Sequence, residues 1–274
     1  MSQPEEPAIP PADLSAYGAS PRQLSSFELK LERALEHLYA AQARIETFIE
    51  HDPGTPVLME SPAKGEMAFF YRAFLQPDPE IVLRVSDCIH NLRQSLDHLA
   101  YRLAVFVGGD PPPNEATTGF PIYDSPLTDD RLASKIGRPK KIPIGMRAAL
   151  EAAQPHTGGN AQLLSILRDL DDLDKHRFPP LVTVGGVVSD FDVSELHAEW
   201  VCGPELGPVE DGAPIMRWAP KVGTHPVDMK FRCTNHVAFG KPSPAEGREP
   251  HVLLREIRAY IMGEVVPSLS PFLS

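Results

Sequence analysis

The sequence predicts an α+β protein: an antiparallel helical core of four helices, with a β-hairpin inserted near its start and a small antiparallel sheet toward the C-terminus. Three observations predict it. Four segments carry apolar residues at alternating spacings of three and four, the stripe of a helix with one buried face. Between about residues 181 and 240 that pattern gives way to alternation with a period of two, as in half-buried strands. Clusters of proline and glycine, 30 and 19 in all, punctuate the changes from one segment to the next. An apolar fraction of 42% over 274 residues is enough for a real core.

Residues 1–23 read as a disordered leader, because Pro4, Pro7, Pro10, Pro11 and Pro21 interrupt any periodicity. A single α+β domain is expected over 24–274, with its helical parts at 24–178 and 250–266 and a β-rich part at 181–240. Ser25 and Glu28 form a capping-box pair, with Leu24 and Leu29 spaced as a hydrophobic staple. The helix they start runs to about Glu50, with Leu31, Leu35, Leu38, Ile45 and Ile49 on its stripe. Val57–Glu60 and Met67–Ala73 flank Pro62-Ala63-Lys64-Gly65 and read as a hairpin. Asp78 then caps a long helix with Pro79 at its first position, running to about Val107.

After Gly108-Gly109 and Pro111-Pro112-Pro113 comes a long proline-rich connection containing Phe120-Pro121-Ile122-Tyr123. Helices around Met146–Gln154 and Asn160–His176 follow. Leu181–Ser189 reads as a strand with a bulge at Gly185-Gly186, paired with Glu195–Val201. Alternation from Val227 to Phe239 marks a long strand, with Pro214–Trp218 as its expected partner. A final helix covers about Pro250–Val266.

The net charge of −11 argues against a general binder of nucleic acid or anionic membranes. One stretch departs from it: Arg131, Lys135, Arg138, Lys140, Lys141 and Arg147 occur with no acidic residue between them. Cys88, Cys202 and Cys233 are scattered and form no C-x-x-C pair, which fits a reduced cytoplasmic chain. No segment holds the roughly 20 apolar residues needed to span a bilayer, so no membrane association is expected.

The chemistry-bearing residues concentrate on the long helix. Val85, Ile89, Leu92, Leu96, Leu99 and Leu103 make its seam, and Asp87, His90, Asn91, Arg93, Gln94, Asp97 and His98 fall on the flanks. There desolvation is partial and an unpaired polar group is costly. Arg93 and Asp97 are four apart and suited to an intrahelical ion pair. A polar network of this kind can specify helix register without doing chemistry. A second cluster, Asp169 to Arg177, ends the Asn160 helix. Lys175, His176 and Arg177 there suit the negative end of the dipole. Asp174, Lys175, His176 and Arg177 are also dense in groups able to hold a phosphate or carboxylate.

Arg93 and His98 form an R-x4-H motif that resembles the signature of HEPN domains, four-helix proteins of which many are metal-independent ribonucleases. The resemblance implies His98 as acid/base toward a ribose hydroxyl and Arg93 as phosphate stabiliser. Asn91, Asp97 and His90 act in support, RNA is the substrate, and a homodimer partner can complete the site. By chance, R-x(4–6)-H should arise roughly twice in such a chain; it occurs at Arg44/His51, Arg84/His90 and Arg93/His98. Positions five apart also stand about 140° apart around a straight helix. The segments His90 to His98 and Leu173 to Arg177, with Phe120-Pro121-Ile122 and Gln154-Pro155, further resemble a recurrent group of uncharacterised bacterial proteins carrying H-N-L-R-x-x-L-D-H and D-K-H-R.

Two other readings stand beside the ribonuclease. One is a non-catalytic ligand-binding or protein-interaction domain whose polar helix face is structural. The other is a metal-dependent hydrolase in which Asp87 and His90 are joined by Asp97, Asp174 and His176. The first reading needs no cofactor and no metal. No Walker or Rossmann glycine motif and no nucleophile elbow is present.

Overall fold

A computed structural model describes residues 24–60, 66–189, 198–202, 209–220 and 232–273. The expected leader, residues 1–23, lies outside them.

Helix α1 spans Ser26–Ile49 and helix α2 spans Pro79–Gly108. The start of α1 is held as its sequence predicts: the Glu28 carboxylate accepts from the Ser25 N–H at 2.8 Å and from its hydroxyl at 2.7 Å. The staple contributes little, because Leu24 and Leu29 remain 40% and 56% exposed. At α2, Asp78 accepts from the Glu80 N–H at 2.9 Å, and Pro79 occupies a position whose missing N–H costs nothing. Gly109, at φ 94°, takes the left-handed turn that ends the helix. His37 lies 3.5 Å from Asp87 and Arg44 lies 3.9 Å from Asp78, so residue numbers rise along one helix as they fall along the other. The two are antiparallel.

Between them, β1 (Gly54–Glu60) and β2 (Met67–Ala73) form the expected antiparallel ladder. The connection after α2 is more ordered than its prolines suggest. It contains helix α3 (Asp129–Lys135), capped by the Thr128 hydroxyl, and helix α4 (Ile144–Ala152). Phe120, Ile122, Leu127, Leu132, Ile136 and Ile142 anchor this stretch in the main core. Helix α5 spans Gln162–Asp174, and α6 spans Pro250–Tyr260. The last helix is not uniform as expected: Ile261–Val265 forms a π-helical turn before the short α7, Val266–Leu269.

Strand pairing departs most from the expectation. Strand β3 (Leu181–Ser189) pairs with β6 (Arg232–Phe239), with a register shift after Gly185 where the bulge was expected. Strand β4 (Ala198–Cys202) pairs instead with β5 (Pro214–Pro220). Strand β5 in turn pairs with β2, giving a four-stranded antiparallel sheet in the order β1-β2-β5-β4 and a separate β3-β6 ribbon. The inserted hairpin is thus the edge of the larger sheet. Alternation sets which side of a strand is apolar and leaves its neighbour open, because several strands of like pattern satisfy the same ladder. The expected residues Val227 to Phe231 lie outside the described ones.

Tyr71 joins the two sheets. It is fully buried, its hydroxyl donates to Asn235 Oδ1 at 2.6 Å, and Asn235 Nδ2 donates to the Gly54 carbonyl at 3.1 Å. A Cβ on Gly54 would strike the Tyr71 hydroxyl at 2.0 Å and one on Gly185 the Tyr71 ring at 2.7 Å, so the close approach of this side chain requires glycine at both positions.

One continuous core draws on α1, α2, α5 and α6 together with the anchored connection. Leu92, Leu96 and Leu99 are at most 1% exposed, as the seam predicts. Replacing Leu96 with alanine should cost about 2–5 kcal/mol in urea unfolding, through lost burial and the cavity left behind. The exposed Leu83→Ala should change stability by less than about 0.5 kcal/mol.

Candidate functional site

Helix α2 enters the core with its polar flanks attached, and the structure divides those flanks into three arrangements. The first is a clamp. Asp97 Oδ1 lies 2.9 Å from Arg93 Nη2 and accepts the Phe120 N–H at 2.9 Å. Arg93 Nη2 also donates to the Phe120 carbonyl at 3.2 Å. One ion pair therefore satisfies both peptide groups of a residue in the buried connection, which otherwise has no ladder to complete it. Gly119 lies close by: a Cβ there would sit 3.2 Å from the same Asp97 oxygen. The Arg93 side chain is 17% exposed and its Nη1 is buried without a partner.

A second arrangement joins α2 to α5. Asp171 is 3% exposed and its two oxygens are divided between helices. Oδ1 lies 3.4 Å from His90 Nδ1, and Oδ2 lies 2.9 Å from Lys175 Nζ. Lys175 also reaches Asp172 at 2.8 Å; these two hydrogen bonds hold its ammonium above the usual lysine range. Gln94 Nε2 stands 2.7 Å from His90 Nε2. A buried carboxylate thus orients a half-exposed imidazole through one nitrogen while an amide occupies the other.

Between the two sequence clusters the contact is that of Asp171 with His90, while Lys175 pairs within its own segment with Asp171 and Asp172. His176 and Arg177 are exposed, and Asp174 Oδ1 is buried without a partner. Lys175 binds carboxylates and not the terminal carbonyls expected of a helix cap.

The third arrangement is a cleft of about 420 Å³ lined by Ser26, Asp97, His98, Tyr101 and Thr118. Burial lowers the His98 pKa, the Lys30 charge adds to that, and Asp97 opposes it. The imidazole is therefore neutral at physiological pH and able to accept a proton. The Tyr101 hydroxyl points toward Asp110 and Glu115, at 3.5 Å from each.

Asn91 is not aimed at His98. Its Nδ2 donates to the Asp87 carbonyl at 2.8 Å, within its own helix. Gln94 serves His90 instead. Arg93 is not among the residues lining the cleft, although Asp97, with which it pairs, is. Five residues of helical rotation start the two side chains from different flanks of α2. Among the described residues, no group of three His, Cys, Asp or Glu is arranged to hold a metal ion; Asp87 faces His37 and His90 faces Asp171. Residues missed by sequence reasoning include Asp171 as the shared carboxylate and Phe120 as the clamped peptide; only the polar flanks of α2 hinted that something must pair with them. Cys88 is buried, which pushes its thiol up to about 12 and makes it inert.

No helix among the described residues is long and apolar enough to cross a membrane. Comparison with protein-family models, with curated proteins and with solved structures found no match to this chain.

Two predictions follow from this geometry. Asp97→Ala leaves the Phe120 N–H without its acceptor and the Arg93 guanidinium without its carboxylate, so stability should fall by about 1–3 kcal/mol. Amide hydrogen exchange at Phe120 should accelerate with it, while exchange at Leu164 in α5 should change only as global stability does. The second concerns pH. His37, His98 and His251 all have pKa values lowered by burial. Below the ordinary histidine value of about 6.5 the unfolded chain binds more protons than the folded one. Stability should therefore be full above that pH and decline as pH falls through the folded values, read as a lower urea midpoint at about pH 5.5 than at about pH 7.5. His37→Gln should flatten part of that slope.

Proposed function

We propose that this chain is a ligand-binding domain, non-catalytic in itself, whose site is the cleft beside His98. The observation that carries this reading is the use made of Arg93. Its guanidinium is engaged with Asp97 and the Phe120 carbonyl, so the residue expected to stabilise a phosphate serves the fold. What remains open is a cleft of a size suited to a small molecule, bordered by an imidazole, a carboxylate and the hydroxyls of Ser26, Tyr101 and Thr118. These groups suit a compact ligand with an apolar body and one or two hydrogen-bonding groups.

A HEPN-like metal-independent ribonuclease is the second reading, and two observations favour it. His98 is held neutral and therefore ready to act as a base. The basic turn with Lys135, Arg138, Lys140 and Lys141 adjoins the same region, since the Lys135 carbonyl accepts from the Gly119 N–H beside Thr118. In this reading α1, α2, α5 and α6 form the HEPN-like core. A second copy supplies the phosphate-binding arginine that one chain withholds, and RNA follows the basic turn.

One pair of measurements separates the readings. Phenol, as a small aromatic probe, should shift the His98 ring resonances in a saturable way, and Thr118→Trp should remove that shift by filling the cleft. On single-stranded and structured RNA in EDTA, wild type should cleave no faster than His98→Ala or Arg93→Lys. Cleavage that survives EDTA and falls by about 10²–10⁴-fold in His98→Ala would replace the binding reading with the ribonuclease. An unmoved His98 resonance would remove the cleft as a site.

A further inference from the structure

The turn between α3 and α4 reverses the sign of a chain whose net charge is −11. Lys135, Arg138, Lys140 and Lys141 fall within residues 135–141, and none has an ion pair or a side-chain hydrogen bond among the described residues. The flanking arginines are occupied. Arg131 lies 4.3 Å from the centroid of the Tyr123 ring and donates to the Ser125 hydroxyl at 2.7 Å, and Arg147 pairs with Asp129 at 2.7 Å. Like charges held this close repel, a cost that an anionic partner removes.

The turn is fixed from below. Leu132, Ile136, Ile142 and Met146 anchor it in the main core, none more than 8% exposed. Gly137, at φ 134°, runs against α2: a Cβ there would sit 3.3 Å from the Val107 side chain. The four cations therefore stand on a settled backbone, and a partner has only their side chains to order.

Beside them lies apolar surface that the fold leaves open. Ile144, the first residue of α4, is 89% exposed. Phe106 is 47% exposed and packs edge-on against Phe272, with ring centroids 5.9 Å apart. A Cβ on Gly145 would sit 3.4 Å from the Phe272 ring, so the aromatic pair reaches α4 next to Ile144. A single exposed isoleucine is ordinary. An isoleucine beside an aromatic pair and four open cations has the anchor and polar rim of a protein interface.

The charge of the whole chain selects among anionic partners. A bilayer or a nucleic-acid strand is an extended polyanion, and its field would also meet the acidic remainder of the chain. A phosphate backbone also offers Ile144 nothing apolar. A short acidic segment touches the turn alone. We propose that this surface docks a short acidic segment of a partner protein, with carboxylates on Lys135, Arg138, Lys140 and Lys141 and a large apolar side chain on Ile144 and the Phe106–Phe272 pair.

The test is fluorescence anisotropy of a labelled amphipathic peptide of glutamate and leucine, about three helical turns long, titrated with the full chain. Binding should be saturable below about 1 mM and should weaken as salt is raised, because exposed charges are screened. Lys140→Glu combined with Lys141→Glu should weaken it at least about tenfold. Ile144→Ser should do the same, as loss of a buried isoleucine contact does. Both changes lie on the exposed surface, and an unchanged urea midpoint will show that the fold is intact. Replacing the peptide's leucines with serine should weaken binding to wild type to the same degree as Ile144→Ser. The proposal is overturned if the peptide does not bind, if either variant binds it as tightly as wild type, or if phosphatidylserine vesicles or single-stranded RNA bind through the same lysines more tightly than the peptide.

Discussion

The fold depends on how α2 is buried. Most of the sides of this helix are covered, by α1, α5, α6 and the connection that follows it, so any polar residue on it must find a partner or pay for desolvation. Arg93 and Asp97 meet that demand together. They pair with each other and with the two peptide groups of Phe120, which puts a stretch rich in proline and poor in regular hydrogen bonds into the core at a defined place. From there Ile122, Leu127 and Leu132 follow into the same cluster, and α3 and α4 settle over it.

The same logic governs the contact between α2 and α5. Asp171 is buried with a partner on each side, the His90 imidazole and the Lys175 ammonium, and a carboxylate with both oxygens occupied is tolerable in a partly desolvated place. This is a structural use of residues that also carry chemistry. Ion pairing explains why polar residues crowd these two segments, while His98 lines an open cleft.

Much of the helical frame was legible in the sequence. The capping box at Ser25, Asp78 with Pro79, and the seam from Val85 to Leu103 are local signals, and each element they mark is present. The missed helix α3 has a local signal too, Thr128 before two aspartates, but the flanking prolines masked it. The π-helical turn after Tyr260 had no signal, because the 3.6-residue pattern runs through it unbroken.

The sequence by itself determined which segments become helix or strand and which faces are apolar, since both follow from spacing along the chain and from terminal residues. Tertiary structure alone decided which strands pair, where the polar flanks of α2 find partners, and which side chains share a cleft. Strand β3 reads equally well beside β4 or β6, and only closure of the two sheets around Tyr71 selects β6. Arg93 and His98 are five apart in any reading of the chain. Helical rotation starts them from different flanks, and Phe120, 27 residues beyond Arg93, engages the guanidinium.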